Sequence, residues 1–166
     1  DYGVRAISKF HKDHPYVFDA PGGALSVSYQ PAESNSGLFG GNSNWRGPIW
    51  LPMNFLIIEA LERYHHFYGE DFRMEFPTGS GQKMNLRQIA GNILERVVGI
   101  FLQDSSGHRP FQELPAGLAD DPLWRDPLLF HEYFHAETGQ GLGASHQTGW
   151  TALVATCLEK LARWND

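Results

Sequence analysis

The sequence predicts an all-α fold: four helices joined by long polar loops, with one possible β-hairpin near the N-terminus. Three observations predict it. Apolar residues recur at helical spacing through residues 86–101 and 150–161. Helix-starting residues stand ahead of those runs and of two others, at Pro48, Asn85, Asp121 and Thr148. Strand-like alternation is confined to Tyr16-Val17-Phe18 and Leu25-Ser26-Val27-Ser28-Tyr29, on either side of Pro21-Gly22-Gly23. The 166 residues suffice for one segment with a sizeable core, taken as a single unit over 1–166.

After the hairpin, "ESNSGLFGGNSNWRGP" is a long irregular loop of the kind that more often carries function than structure. Pro48 is expected at the first position of a helix carrying "PIWLPMNFLIIEALERYHHFYG". Its first half is apolar nearly all round, which predicts burial on most sides. Pro52 is near enough to the start to be tolerated, and Gly69 is the expected stop. Residues 70–82 read as a second loop. Asn85 with Gln88 forms a capping-box pattern ahead of a helix whose buried face is Leu86, Ile89, Ala90, Ile93, Leu94, Val97, Val98 and Phe101. Past a loop that runs to Asp120, Asp121 caps a third helix at Pro122. Asp126-Pro127 restarts or kinks it, and the helix then carries "LLFHEYFHAET". Thr148 caps the last helix, with Trp150, Leu153, Val154, Cys157, Leu158 and Leu161 on its stripe.

Charge narrows the function. The net charge is -6 and no basic stripe stands out, which argues against a nucleic-acid binder that works by neutralising phosphates. No run of ~18 apolar residues predicts a membrane span. The single cysteine, Cys157, cannot make an internal disulfide, and its place on an apolar stripe predicts a buried, inert thiol. The chain opens on "DYGVRAISKF", without an initiator Met and already patterned, so it reads as a piece of a longer polypeptide.

"HEYFH", residues 131–135, matches H-E-x-x-H. On a helix this places His131 and His135 one turn apart, with Glu132 as a general base for a zinc hydrolase. The surroundings disfavour that use. Gly141 occupies the third-ligand position of the longer metzincin pattern, and His146 lies too far on. Only Glu159 stands at a suitable later distance. Glu137 is charged where such helices continue apolar, and Pro127 stands shortly before. No metal or other cofactor is expected, and zinc peptidase is kept only as an alternative. His65-His66, being adjacent, do not share a helical face and fit a helix C-terminus better than a metal.

"GLFGGNSNWRGPIWLPMNFLIIEALERYHHFYGEDF", "FPTGSG" and "DPLWRDPLLFHEYFHAETGQGLGASHQTGWTALVA" together resemble the C-terminal part of glycoside hydrolase family 63, the processing α-glucosidases and their bacterial relatives. "GLFGGNSNWRGPIW" and "GLGASHQTGW" look most like the bacterial branch, which implies a cytoplasmic location. The resemblance implies part, about half, of an (α/α)6 barrel with its site at one end, and an inverting mechanism on an oligosaccharide. It makes Glu132 the general base. Asn44, Trp45, Arg46 and Trp50 in one motif, and His146 and Trp150 in the other, become substrate-side residues. The family's general acid is an aspartate in an earlier part of the barrel. Asp19, Asp104, Asp120, Asp121 and Asp126 all lie outside that motif, so the base is present without its acid. The missing N-terminal half of the barrel is the implied partner, and the chain alone is expected to be inactive. A non-catalytic carbohydrate-binding module is the other alternative.

Overall fold

The computed structural model describes residues 2–40, 43–113, 117–118, 121–146 and 148–165. Asp120 therefore lies outside the described residues, and so does the side chain of the expected cap Thr148.

Helices supply most of the core, but the all-α expectation is corrected. Among the described residues there are three two-stranded antiparallel pairs, two of them where a loop and a helix are expected. The first pair is the expected hairpin, β1 (Tyr16–Ala20) with β2 (Gly23–Val27), in the register Phe18 opposite Leu25. The second is β3 (Arg73–Glu75), inside the loop expected over 70–82, paired with β4 (Lys83–Asn85), which runs into the helix cap at Asn85. Three-residue strands are too short for an alternation pattern to register.

Helix α1 spans Leu51–Tyr68. Pro48 does not begin it. Instead, Ile49 bridges two other segments, and Trp50 is the N-cap, with Pro52 in the first turn. Gly69 ends the helix as expected: it has φ 75°, and its N–H reaches the His65 carbonyl at 2.8 Å. The expected burial on most sides is also corrected. Leu51, Asn54 and Ile58 are buried, but Met53 and Leu56 are exposed at 44% and 59% and share an outer face with Tyr64 and Phe67.

Helix α2 (Leu86–Gly99) agrees closely with its pattern. Asn85 and Gln88 form the reciprocal capping box, and Leu86, Ile89, Ala90, Ile93, Leu94, Val97 and Val98 are all buried. Each of the large aliphatic side chains stabilises by about 1.5–3 kcal/mol through burial, so α2 is the centre against which α1 and the last helix pack. Asp121 caps the short α3 (Pro122–Arg125) by accepting from the Leu123 N–H at 2.9 Å.

The main correction concerns the next segment. No helix forms over "LLFHEYFHAET". Residues 126–132 lie outside regular structure, and β5 (Tyr133–Phe134) pairs with β6 (Gly141–Leu142). Tyr133 and Phe134 are both fully buried aromatics of high β propensity. Their backbone finds partners outside the segment, which removes the advantage of helical bonding.

The last helix is broken at Ala152 into α4 (Thr148–Thr151) and α5 (Leu153–Asn165). On α5, Val154 and Cys157 are buried, whereas Leu158 is 40% exposed rather than on the core stripe. Burial pushes the Cys157 thiol up to about 11, which keeps it protonated and unreactive. Lys160 ties α5 to α1 through Glu59 at 2.5 Å and Glu62 at 2.7 Å. Among the described residues, no helix is long and apolar enough to cross a membrane.

Candidate functional site

Three distant stretches meet beside the start of α1. Ile49 exchanges backbone hydrogen bonds with Phe134, at 2.8 and 2.9 Å, and bridges to Arg5 on its other side. Gln30 donates to the Arg46 carbonyl at 2.8 Å, and the Ala136 N–H donates to the Pro31 carbonyl at 2.8 Å. This lattice of short extended segments holds residues 30–36, 44–50 and 131–144 together.

Glu132 is fixed at three atoms. Its N–H donates to the Ala144 carbonyl at 2.9 Å. Its own carbonyl accepts the Trp150 indole N–H at 2.9 Å. Its Oε2 accepts the Ala144 N–H at 3.2 Å. Gly143 makes this possible: it has φ +68°, and a Cβ there would lie 2.7 Å from Glu132 Oε2 and 2.7 Å from Tyr133 Cε1. The side chain of Glu132 is half-buried, and among the described residues its Oε1 has no hydrogen-bond partner.

Aromatic rings pack around Tyr133, the residue after Glu132. Trp50 is only 3% exposed. Trp45 stacks on one face at 3.9 Å with planes 3° apart, and Tyr133 stacks on the other at 4.7 Å. Trp150 meets Trp50 edge-on at 5.8 Å. With both faces covered, Trp50 is a packing residue. Trp45 is only partly buried and lines a hollow of about 230 Å³ together with Trp50, Arg5 and Met53. A larger hollow of about 580 Å³ lies elsewhere, bordered by Glu70, Gln88, Asn92 and Trp164, and none of the motif residues lines it.

The Tyr133 hydroxyl accepts the Asn44 amide N–H at 2.8 Å. Burial raises its pKa above the ordinary phenol value. The nearby charges of Glu33 and Glu132 act in the same direction, and the Asn44 bond opposes them. Asn44 also accepts the Ser34 N–H at 2.8 Å, so one amide links the two carboxylate-bearing stretches.

Arg46 does not face this space. It is 4% exposed and turns into its own loop, where it donates to the Ser43 carbonyl at 3.0 Å, Gln30 at 3.1 Å, Ser36 at 3.0 Å and Ser34. It braces the loop that presents Asn44 and Trp45. His146 is exposed and stacks on Phe130, with ring centres 5.7 Å apart.

The two histidines of HEYFH do other work. The His135 Nδ1 accepts the N–H groups of Glu137 and Thr138 at 3.1 and 3.2 Å and shapes the β5–β6 turn. The His131 ring lies close against Gly141, where a Cβ would come within 2.2 Å of it, and its buried Nδ1 has no hydrogen-bond partner among the described residues. Desolvation lowers the His131 pKa. The helical spacing on which a zinc site would depend is absent because the segment is not a helix. Among the described residues, no cluster of three His, Cys, Asp or Glu side chains stands at metal-binding spacing.

Of the residues singled out from sequence, Trp150 bonds to the Glu132 main chain, Asn44 and Trp50 reach the adjoining Tyr133, and Trp45 stacks on Trp50, while Arg46 turns into its own loop and His146 packs on Phe130. Tyr133 and Glu33 were not singled out. Tyr133 sits inside the recognised motif and was open to selection. Glu33 carries no pattern at all, and only the fold brings it near.

Residues 29–103 match the family model described as the glycosyl hydrolase family 63 C-terminal domain. Over that stretch this is family 63 sequence. The chain is 50% identical over 156 residues to the Saccharomyces cerevisiae protein YMR196W, covering 93% of this chain and 14% of that one. It is 27% identical over 139 residues to the mannosyl-oligosaccharide glucosidase of the same yeast, covering 82% of this chain and 13% of that one. It is 26% identical over 110 residues to Alpha-glucosidase 2 of Arabidopsis thaliana, covering 66% and 10%. The chain therefore spans no more than 14% of the length of these relatives. The likeness is to a family of glycoside hydrolases. Glu132 lies outside the stretch matched by the family model.

Proposed function

We propose that this chain is the base-bearing portion of an inverting α-glucosidase acting on oligosaccharides, with Glu132 activating the attacking water. The observation that carries the proposal is the state of the Glu132 side chain. One carboxylate oxygen is held by a backbone N–H, the other has no hydrogen-bond partner among the described residues, and the next residue, Tyr133, joins the Trp50–Trp45 ring stack. Such a carboxylate can orient a water and accept its proton as the glycosidic bond breaks. Trp45 offers a ring for a sugar face, and Asn44 and His146 offer hydrogen bonds to hydroxyls. Trp50, Trp150 and Arg46 hold those groups in place.

An inverting pair needs a protonated acid roughly 6.5–9.5 Å from the base, with the water between. That acid comes from polypeptide beyond this segment, within an (α/α)6 barrel of which this chain is about half. The rest of the barrel also covers the outer face of α1, where Met53, Leu56 and Phe67 are exposed. The segment alone is accordingly inactive.

The experiment is proton NMR of the full-length protein hydrolysing an α-linked glucose oligosaccharide. Release of β-glucose as the first product is the expected result. First release of α-glucose would rule out inversion, and turnover by the isolated segment would rule out an acid supplied from outside.

A further inference from the structure

We propose that Asn44 is a positioning residue for Glu132, acting through Tyr133. The inference rests on the glycosidase proposal and gives Asn44 a role beyond contact with a sugar hydroxyl.

The amide of Asn44 is oriented by its partners. A backbone N–H only donates, so the Ser34 N–H, at 2.8 Å, fixes the oxygen side of the amide. The nitrogen is left to donate to the Tyr133 hydroxyl, also at 2.8 Å. Ser34 is itself anchored, because buried Arg46 holds its hydroxyl and that of Ser36. From a braced loop, Asn44 therefore grips the far end of a ring 89 residues away in sequence.

That grip closes a circuit of side chains. Trp45, next to Asn44 in the chain, stacks on one face of Trp50, and Tyr133 stacks on the other. The bond from Asn44 to Tyr133 joins the two ends of the stack. A stacked pair of rings tolerates several offsets. The directional bond at the hydroxyl selects one of them.

The ring passes its position to Glu132 through Gly143. A Cβ on Gly143 would lie 2.7 Å from Tyr133 Cε1, 2.7 Å from Glu132 Oε2 and 2.9 Å from Glu132 Cβ. The Tyr133 ring and the Glu132 side chain thus press on the same stretch of backbone. The next residue, Ala144, supplies the N–H that holds Glu132 Oε2 at 3.2 Å. A shift of the ring displaces this backbone, and the N–H moves with it, because close-packed contacts transmit strain.

The test is steady-state kinetics of the full-length protein on an α-linked glucose oligosaccharide, with Tyr133→Phe, Asn44→Ala and both together. Tyr133→Phe keeps the ring stack and removes only the hydroxyl. Tyr133 is 2% exposed, so no substrate contact is lost with it. Its kcat should fall roughly 10-fold, with KM and the far-ultraviolet circular dichroism unchanged. Asn44→Ala should lower kcat to the same degree, and a rise in KM is expected of it alone, from its second N–H. The double variant should have the kcat of Asn44→Ala, because both changes cut one link. An unchanged kcat in Tyr133→Phe, a loss confined to its KM, or kcat losses that multiply in the double variant would overturn the proposal. Any of these alongside turnover by the unmodified protein sinks this inference alone. No turnover by the unmodified protein would sink the glycosidase reading, and this inference with it.

Discussion

The indole N–H of Trp150 donates to the main-chain carbonyl of Glu132 at 2.9 Å, while the Trp150 ring meets Trp50 edge-on at 5.8 Å. One side chain therefore fixes both the backbone of the proposed base and the ring stack beside it. Trp150→Phe keeps a ring against Trp50 and removes the hydrogen bond. A net loss of about 0.5–1.5 kcal/mol is expected. In the full-length protein, steady-state kinetics should show kcat reduced about 2- to 10-fold with KM little changed. A loss confined to KM would place Trp150 on the substrate rather than behind Glu132.

Gly143→Ala should be far more damaging than its size suggests. The new methyl would lie 2.7 Å from Glu132 Oε2 at a φ of +68° that favours glycine. The carboxylate must move, and misplacement by about 1 Å can cost roughly 100-fold in rate. The expected outcome is about a 100-fold fall in kcat with the far-ultraviolet circular dichroism unchanged.

His131 gives a pH dependence of known sign. Burial lowers its pKa in the folded state from the ordinary 6.5. The neutral ring is thus favoured by folding, and the unfolded chain binds the proton first. Stability from this group is complete above about pH 6.5 and is lost as pH falls toward the lower folded value. Thermal melting should therefore show a midpoint that drops on acidification through this window. His131→Phe, placed among Phe111, Phe134 and Gly141, should flatten that drop. An identical acid response in the variant would remove His131 as its source.

The outer face of α1 predicts association. Met53, Leu56, Tyr64 and Phe67 are exposed at 44%, 59%, 58% and 79% on one helix side. Sedimentation of the isolated segment should show oligomers, and Leu56→Lys with Phe67→Lys should shift them toward monomer. A wild-type segment that stays monomeric at high concentration would argue that this face needs no cover.

The helices were legible where local signals agreed. Residues 85–99 carry a capping box and an unbroken apolar face, and tertiary packing used both as written. At residues 127–138, long-range bonds overrode the local pattern. The spacing of His131 and His135 suits a helix, yet Phe134 pairs with Ile49 and Tyr133 with Leu142. A partner 85 residues away leaves no mark on local periodicity. For α1, the apolar content was legible but not its cover: Met53 and Leu56 face outward in this chain. At the site, the motif residues gathered because their backbones are laced together. Ser34 is joined to Tyr133 through Asn44, a link that no spacing rule encodes.

The central claim is that the Glu132 carboxylate is the water-activating base. The most direct measurement is turnover of an α-linked glucose oligosaccharide by the full-length protein carrying Glu132→Gln, a change that keeps the side-chain shape and removes the proton acceptor. Hydrolysis should fall by about 100- to 10,000-fold, the range general-base catalysis contributes, with substrate binding retained. Turnover within a few-fold of the unmodified protein would contradict the assignment.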